Sequence, residues 1–230
     1  MDVLASWKWK RRFIPAEVAR ERPSAITIVQ RLGILSAMKD WRLSCRHDTV
    51  LITGDGHCLA EDVKKFKSWN IPHDIYCVNR SLLFFQEPVQ HWAAIDSEES
   101  AWFAEYTNHC VEANGGVTRH TVGTVPFGFD VFWGIPKDVN PETEATIWAG
   151  NTGYFAVLTA LAMGYERLVL AGMPLDRTPH WYEPEDAIGP NWIGATYTQW
   201  MDFKMKVPEA DRVRSMSGYS AFILGQAENE

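Results

Sequence analysis

The chain has 230 residues, 46% of them hydrophobic and 22% charged, which is enough to form one large α/β domain. Its formal net charge of −7 argues against general affinity for nucleic acid or for anionic membranes. No apolar run approaches the ~20 residues that span a bilayer. The four cysteines include no C-x-x-C pair, which argues against a zinc ribbon or a disulfide-dense secreted domain and predicts a cytoplasmic protein with reduced thiols.

Residues 1–48 differ in pattern from the rest of the chain. Helical patterning covers Ala16–Arg22 and Ile26–Leu43, with an interruption at Pro23, and it predicts a helical N-terminal extension. The preceding basic stretch Trp7–Arg12 is either a clamp for a polyanion or a solvated arm whose tryptophans pack on the domain. The eleven tryptophans of the chain would suit a self-association surface, and hence a homo-oligomer, as well as a core.

From Thr49 onward strand patterns alternate with helical ones, so residues 49–230 are predicted to form one domain. The predicted strands are Val50–Thr53, Asp74–Val78, Trp92–Ile95, Thr118–Val122, a segment near Phe129–Trp133, Arg167–Ala171 and Val213–Met216. The predicted helices are Leu59–Trp69, Glu98–Tyr106, Thr152–Met163 and Ile193–Lys206. The polar, proline-rich residues from 174 to about 192 predict a surface lid.

This alternation predicts a Rossmann-like, doubly wound α/β fold with a mostly parallel sheet and helices on both faces. In such folds ligands bind beyond the carboxyl ends of the strands, at a switch point in strand order. Several strand-end and turn residues should therefore face one crevice. They are Gly54, Asp55, Gly56, Asn79, Arg80, Asp96, the stretch Gly172–Asp176 and the turn Gly150–Gly153.

The stretch Val50–Leu59, VLITGDGHCL, places an aspartate inside a glycine-rich turn between a strand and a helix. Such turns usually receive phosphate, because the N–H groups at a helix N-terminus point at an anion. A carboxylate repels a phosphate unless a cation, a hydroxyl or an amine lies between them. Asp55 is therefore expected to contact a hydroxyl group or a metal ion rather than a bare phosphate, or else to cap the helix that starts at Leu59.

Three segments resemble the family 42 sialyltransferases and the related MptE-like (DUF115) proteins. VLITGDGHCL resembles their first strand and loop, where the family has roughly G-N-G-P-S-L. GNTGYFAVLTALAMGYERLVLAGMPLD (Gly150–Asp176) is similar to their second signature, and VRSMSGYSAFILG (Val213–Gly225) to their last strand and short helix. Asn79 matches an asparagine after the second strand. The resemblance covers roughly residues 49–225.

The resemblance implies a domain that binds a nucleotide or a nucleotide-sugar. Carried over, Gly54, Asp55 and Gly56 would approach its phosphate and ribose. His57, which lies inside the same loop, either meets an anion directly or is a solvent-exposed histidine. Asn79 would contact the nucleotide, and Arg80 lies beside it. The turn residues Asn151, Thr152 and Gly153 would offer N–H and side-chain groups to the anionic part of the donor. The GDGH and GNTG turns are accordingly expected to be neighbours and to form one small cup.

The catalytic candidates lie in the lid. His180 suits a general base because the ordinary pKa of histidine is near ~6.5, although a surface-loop histidine would look the same. Tyr182 and Tyr197 are the tyrosines in the right region for the departing phosphate. Asp96 and Asp176 could hold Mg²⁺ if the substrate is a triphosphate, and the alternative for Asp96 is that it caps the following turn.

Three functions follow from these residues and the resemblance. The first is a glycosyltransferase-like transferase with a CMP-sugar donor and a glycan or small-molecule acceptor. The second is a diphosphotransferase that uses ATP and Mg²⁺. The third is a nucleotide-binding module without catalysis, which the replacement of the family's amide by Asp55 favours.

Overall fold

A computed structural model describes residues 35–37, 45–95, 117–122, 131–134, 151–189 and 193–229. Its strands are β1 (Leu35–Ala37), β2 (Thr49–Thr53), β3 (Asp74–Val78), β4 (His91–Ala93), β5 (Thr118–Val122), β6 (Val131–Gly134), β7 (Arg167–Ala171) and β8 (Val213–Ser215). Its helices are α1 (Leu59–Lys67), α2 (Thr152–Met163), α3 (Ile193–Lys206) and α4 (Gly218–Leu224), with 3-10 helices at Asn79–Phe84 and Pro208–Arg212.

The strands form one eight-stranded sheet in the order β1-β6-β5-β4-β3-β2-β7-β8. β1 is antiparallel to β6, and every other neighbouring pair is parallel. The chain builds the sheet outward from β2 to β6 and then returns to place β7 on the other side of β2. The switch point in strand order therefore lies between β2 and β7, where this class of fold binds its ligands.

Helices cover both faces of the sheet, which confirms the predicted doubly wound fold. On one face, Val50, Ile52, Leu168 and Leu170 pack in a cluster that includes α2 and the inner side of α3. On the other face, α1 supplies Leu59, Val63 and Phe66 to a cluster with Leu51 and Val169. The even and odd residues of each strand point to opposite faces, so two helix layers require strands that are apolar throughout.

Helix α2 is buried on all sides. All twelve of its residues are buried, which follows from a sequence, TGYFAVLTALAM, that has no polar face. The helix ends at Gly164, whose left-handed φ of 94° is a backbone conformation that glycine adopts without a steric penalty. Because α2 runs antiparallel to the strands, its N-terminus lies at the carboxyl ends of β2 and β7.

One predicted element is wrong. Leu35–Ala37, predicted to lie within the helix Ile26–Leu43, forms strand β1 and hydrogen-bonds to Val131–Gly134 at the edge of the sheet. A sheet edge offers unpaired N–H and C=O groups, and pairing with them outweighs a short helical pattern. The rest of residues 1–44 and the predicted helix Glu98–Tyr106 lie outside the described residues, and the boundary at residue 48 stays a prediction.

A hydrogen-bonded network of buried polar groups, which no sequence pattern indicates, lies at the amino ends of the strands. The hydroxyl of Tyr165 donates to Oδ2 of Asp74 at 2.8 Å and lies 2.8 Å from Nε2 of His91. Nδ1 of His91 lies 3.1 Å from Nε2 of His120. Since the Tyr165 hydrogen is given to Asp74, His91 must donate from Nε2, and His120 must then donate to Nδ1 of His91. Every donor points toward Asp74.

Burial lowers the pKa of His91 to about 4 and holds the pKa of His120 well below its ordinary value. Both imidazoles are therefore neutral in the folded protein, whereas the unfolded chain takes up protons below its ordinary histidine pKa of 6.5. The free energy of unfolding should fall as the pH drops below 6.5, by about 1.4 kcal/mol per pH unit for each histidine. Urea unfolding of the protein at a series of pH values measures this slope.

The variant His91→Gln should reduce that slope by about 1.4 kcal/mol per pH unit between about pH 6 and pH 5, because one titrating group is removed. His47→Gln is the control, since the His47 side chain is exposed and its backbone N–H to Asp74 is retained. Equal slopes in all three proteins would contradict the assignment.

Candidate functional site

Three segments meet at the carboxyl ends of the central strands. They are the loop 54–58 after β2, the 3-10 helix after β3, and the lid, defined here as residues 174–189. The lid crosses the end of β2, because Gly56 and His180 form an antiparallel bridge and the N–H of Trp181 donates to the carbonyl of Asp55 at 3.0 Å. The predicted surface segment therefore reaches from β7 across β2 to β3.

Close backbone contact seals the switch point between β2 and β7. The N–H of Gly54 donates to the carbonyl of Ala171 at 2.9 Å, and that of Gly56 to the carbonyl of Gly172 at 2.7 Å. A Cβ on Gly56 would lie 2.7 Å from that same carbonyl oxygen, and a Cβ on Gly172 would lie 2.5 Å from the carbonyl oxygen of Gly54. Gly172 also has a φ of 65°. These glycines are thus required by the approach of two backbones.

A buried carboxylate holds this contact in place. Oδ2 of Asp62, on α1, accepts hydrogen bonds from the N–H of Gly172 at 2.9 Å and from the hydroxyl of Ser217 at 2.7 Å. The Ser217 hydroxyl also lies 3.1 Å from the sulfur of Cys58, and burial raises the pKa of that thiol to about 12. Cys58 is therefore a protonated structural residue, in agreement with the absence of any nucleophile motif around it.

The GDGH and GNTG turns are neighbours, but a side chain fills the space between them. A Cβ on Gly54 would lie 2.6 Å from Cγ of Met173, and a Cβ on Gly153 would lie 3.1 Å from its sulfur. Met173 is buried, as are Thr152 and Gly153. Asn151 is the N-cap of α2 and accepts the N–H of Tyr154 at 3.1 Å. The expected open cup between the two turns is therefore corrected to a packed contact.

Asp55 has the least compensated side chain at these strand ends. It accepts a long hydrogen bond of 3.4 Å at Oδ2 from the N–H of Arg80, and a backbone hydrogen bond from Ser81 also lowers its pKa. Its Oδ1 is shielded from solvent with no partner among the described residues. Burial raises the pKa of Asp55 to about 7, against the lowering effects of the Arg80 hydrogen bond and charge. Asp55 does not cap α1, whose N-cap is Cys58 without a side-chain cap bond.

The turn after β3 presents Asn79 and Arg80. Asn79 adopts a φ of 52°, and its carbonyl accepts the indole N–H of Trp92 at 2.9 Å, while its Oδ1 is buried without a partner among the described residues. The guanidinium of Arg80 lies 4.4 Å from the centre of the Tyr182 ring. Ser81 fixes the turn, because its hydroxyl lies within 3.0 Å of the carbonyls of Thr53 and Val78.

The lid brings a histidine and a carboxylate to the same place. Nδ1 of His180 lies 2.9 Å from Oε2 of Glu183, which also accepts the backbone N–H of His180 at 2.8 Å. These hydrogen bonds lower the pKa of Glu183. The ring of His180 is stacked on that of Tyr182 at 5.4 Å and 7°. A Glu183 carboxylate fixes the tautomer with hydrogen on Nδ1, which leaves Nε2 with the lone pair of a base.

His57 and Asp176 form a separate group on the outer side of the lid. Oδ1 of Asp176 accepts the N–H of Thr178 at 3.0 Å and also its hydroxyl, which contacts Nδ1 of His57. The Asp176 carboxylate is thereby engaged in a local turn, and Asp96 lies outside the described residues. Among the residues that the structure describes, no three His, Cys, Asp or Glu side chains lie together in a group that could hold a metal ion.

Sequence reasoning thus identified Asp55, Arg80, His180 and Tyr182, which meet here, but it missed Glu183 and the packing role of Met173. The spacing of His180 and Glu183, three residues apart in a proline-rich turn, was the available signal for the first. Nothing in the sequence marks Met173, because its role depends on the distance between two turns. Within the described part of the chain, no helix is both long and apolar enough to cross a membrane.

No protein-family model matches the chain, and no curated protein matches it. The chain is similar to a solved structure described as the MAf glycosyltransferase from Magnetospirillum magneticum AMB-1, with 13% sequence identity and a TM-score of 0.48. The similarity covers 75% of this chain and 32% of that one, so the chain spans about a third of that protein's length. The doubly wound α/β fold is assigned from the strand order and the two helix layers of this chain, and the family 42 resemblance stays a prediction.

Gly172→Ala should lower the free energy of unfolding by about 2–4 kcal/mol, because the new Cβ meets a backbone oxygen at a positive φ. Gly194→Ala in α3 is the matched control, since nothing lies within 4 Å of its Cβ position. That change should be neutral or stabilising by up to about 1 kcal/mol. Urea unfolding compares the two variants, and equal stability of both would show that the switch point is loosely held.

Asp55→Asn should change stability in a pH-dependent way. A carboxyl whose folded pKa is about 7, against 3.8 in the unfolded chain, stabilises the protein at low pH and loses that contribution as the pH rises toward 7. The variant should therefore match the wild type near pH 4 and exceed it at pH 8, with a limit of about 1.4 kcal/mol per pH unit between the two pKa values. Asp186→Asn, at an exposed lid residue, should show no such trend in the same unfolding series.

Proposed function

We propose that this protein is a nucleotide-dependent transferase of the glycosyltransferase-like kind. One observation carries the proposal. At the carboxyl ends of β2 and β3, a histidine oriented by a carboxylate, His180 with Glu183, shares one cluster with the cation Arg80 and the buried acceptor Asp55. Transfer of a sugar from a phosphate leaving group to an alcohol requires a base for the alcohol and a cationic partner for the departing phosphate. Asp55 adds a hydrogen-bond acceptor for a hydroxyl group of the ligand.

The parts of the cluster have distinct roles in this proposal. His180 takes the proton of the acceptor hydroxyl through Nε2, and Glu183 stabilises the imidazolium that results. Arg80 neutralises the charge that develops on the departing phosphate. Tyr182 fixes the relative positions of Arg80 and His180, since both side chains contact its ring. Asn79 and Asp55 contact the nucleotide or sugar from the ends of their strands.

The location of this cluster also shifts the expected ligand position. The sealed backbone contact and Met173 fill the space between β2 and β7, so the ligand lies over β2 and β3. Asn79 and Arg80 therefore matter more in the proposed site than the GNTG turn, whose Asn151 caps its own helix. A CMP-sugar donor and a glycan or small-molecule acceptor are the finer assignment, and they come from the resemblance of the sequence alone.

Two other functions are distinguished from this one by their dependence on metal and by product release. A diphosphotransferase would require ATP with Mg²⁺ and would lose turnover in Asp176→Asn, whereas a CMP-sugar enzyme of this type keeps its activity in EDTA. A binding module without catalysis would retain its ligand and release no product. The oriented His180–Glu183 pair favours catalysis over the module, because the Glu183 carboxylate fixes the tautomer that a general base requires.

Isothermal titration with CMP, CDP, ATP and GTP should detect binding of at least one nucleotide, because Arg80 and the strand ends provide an anion partner and polar acceptors. Arg80→Gln should weaken that binding by about tenfold or more, since a charge-assisted contact is lost. Arg46→Gln is the control, since Arg46 is exposed and precedes β2, at the amino ends of the strands and away from the proposed site.

Turnover is the second readout of this experiment. His180→Gln should reduce the rate of transfer by about 10²–10⁴ and leave nucleotide affinity within about threefold, because a general base acts on the acceptor in the transition state. No binding by any of the four nucleotides would refute the proposed function. Equal loss of binding in Arg46→Gln and Arg80→Gln would show that the nucleotide does not bind at the ends of β2 and β3.

A further inference from the structure

Two acceptor oxygens at the ends of β2 and β3 have no donor among the described residues. Oδ1 of Asp55 and Oδ1 of Asn79 are both shielded from solvent and unpartnered there. A buried acceptor left without a hydrogen bond costs about 1–3 kcal/mol, and more when the group is charged. Native proteins contain few such groups, and a pair on adjacent turns points to donors that come from outside the chain.

The two turns that carry these oxygens are fastened side by side. Asn79 is followed by Arg80, whose N–H reaches the Asp55 carboxyl at 3.4 Å. The hydroxyl of Ser81 donates to the carbonyl of Thr53, the last residue before the loop, at 2.9 Å. Asp55 and Asn79 therefore belong to one rigid patch that β2 and β3 position through their parallel pairing.

Two donors beside the patch are committed to backbone oxygens, and the buried indole N–H of Trp181 makes no hydrogen bond to either Oδ1. The N–H of Trp181 is taken by the carbonyl of Asp55, and the indole N–H of Trp92 by the carbonyl of Asn79. The Arg80 guanidinium lies against the Tyr182 ring. The two Oδ1 atoms are thus acceptors that the neighbouring groups do not satisfy, and a phosphate has no hydrogen to give them.

We infer that the ligand donates a vicinal pair of hydroxyl groups to this patch, one to Oδ1 of Asp55 and the other to Oδ1 of Asn79. The inference rests on the proposed function and deepens it, because it assigns sugar hydroxyls to the acceptor patch and leaves the phosphate to Arg80. A carboxylate accepts a hydroxyl hydrogen in a short charge-assisted bond, while it repels a phosphate oxygen. The acidic replacement in the GDGH turn is then a determinant of specificity.

The ligand reaches these atoms by displacing the turn that covers the loop. Gly56 is bridged to His180, and Trp181 donates to Asp55, so the turn His180–Glu183 lies directly over the GDGH loop. The diol therefore binds beneath the turn that carries the proposed base. This order places the hydroxyl-binding patch and His180 on opposite sides of one ligand.

A vicinal diol has two sources in a nucleotide-sugar, the ribose and the transferred sugar. The first arm compares the tightest of CMP, CDP, ATP and GTP with its 2′-deoxy and 2′,3′-dideoxy forms. The second arm compares that nucleotide with nucleotide-sugars of the same base. Both arms use the whole chain, as wild type and as Asp55→Asn, a variant of the same shape whose folding is verified by its unfolding transition.

We expect the wild type to lose affinity by about tenfold or more in one arm, on removal of the ribose hydroxyls or of the sugar. Asp55→Asn should reduce that discrimination to about threefold or less, because a neutral amide accepts the hydroxyl more weakly. Loss in the first arm assigns the ribose, and loss in the second assigns the sugar. Affinities within twofold in both arms would overturn the inference while the nucleotide still binds, and absence of all nucleotide binding would overturn the proposed function with it.

Discussion

The backbone contact between Gly54–Gly56 and Gly172 sets the arrangement of every other group at the carboxyl ends of the strands. It brings the chain leaving β7 against the chain leaving β2, within hydrogen-bond distance at two places. From that point the lid crosses the end of β2, which brings His180 and Glu183 close to Arg80. Asp62 secures the arrangement from α1 through the N–H of Gly172.

The same contact explains the unusual electrostatics of Asp55. A carboxylate in an open phosphate-binding loop would be solvated, but here the lid covers the loop, and Asp55 lies between Glu183 and Arg80, which act on it with opposite sign. Burial without a strong donor makes the neutral and ionised forms of Asp55 nearly equal in free energy near neutral pH. The glycines of the GDGH turn are therefore required for backbone packing, while the aspartate carries the recognition role that we propose.

Elements with strong local patterns could be predicted from the sequence. The apolar runs DIYCV and RLVLA are flanked by turn residues, and their strands begin and end where predicted. The α2 helix was equally clear from its length and its C-terminal Gly164. Features that depend on distant partners were not predictable. β1 forms because β6 offers an edge, Met173 fills a gap between two turns, and the His91–Tyr165 contact joins residues on different elements.

The position of β2 in the sheet has a consequence for how this chain is synthesised. One neighbour of β2 is β3, which follows closely, but the other is β7, and Thr49 pairs with Arg167. While the ribosome adds the intervening segment, the fully buried strand TVLIT presents an open hydrogen-bonding edge. Such late closure of a central strand raises the contact order, slows folding, and leaves the edge of β2 open to incorrect pairing until β7 emerges.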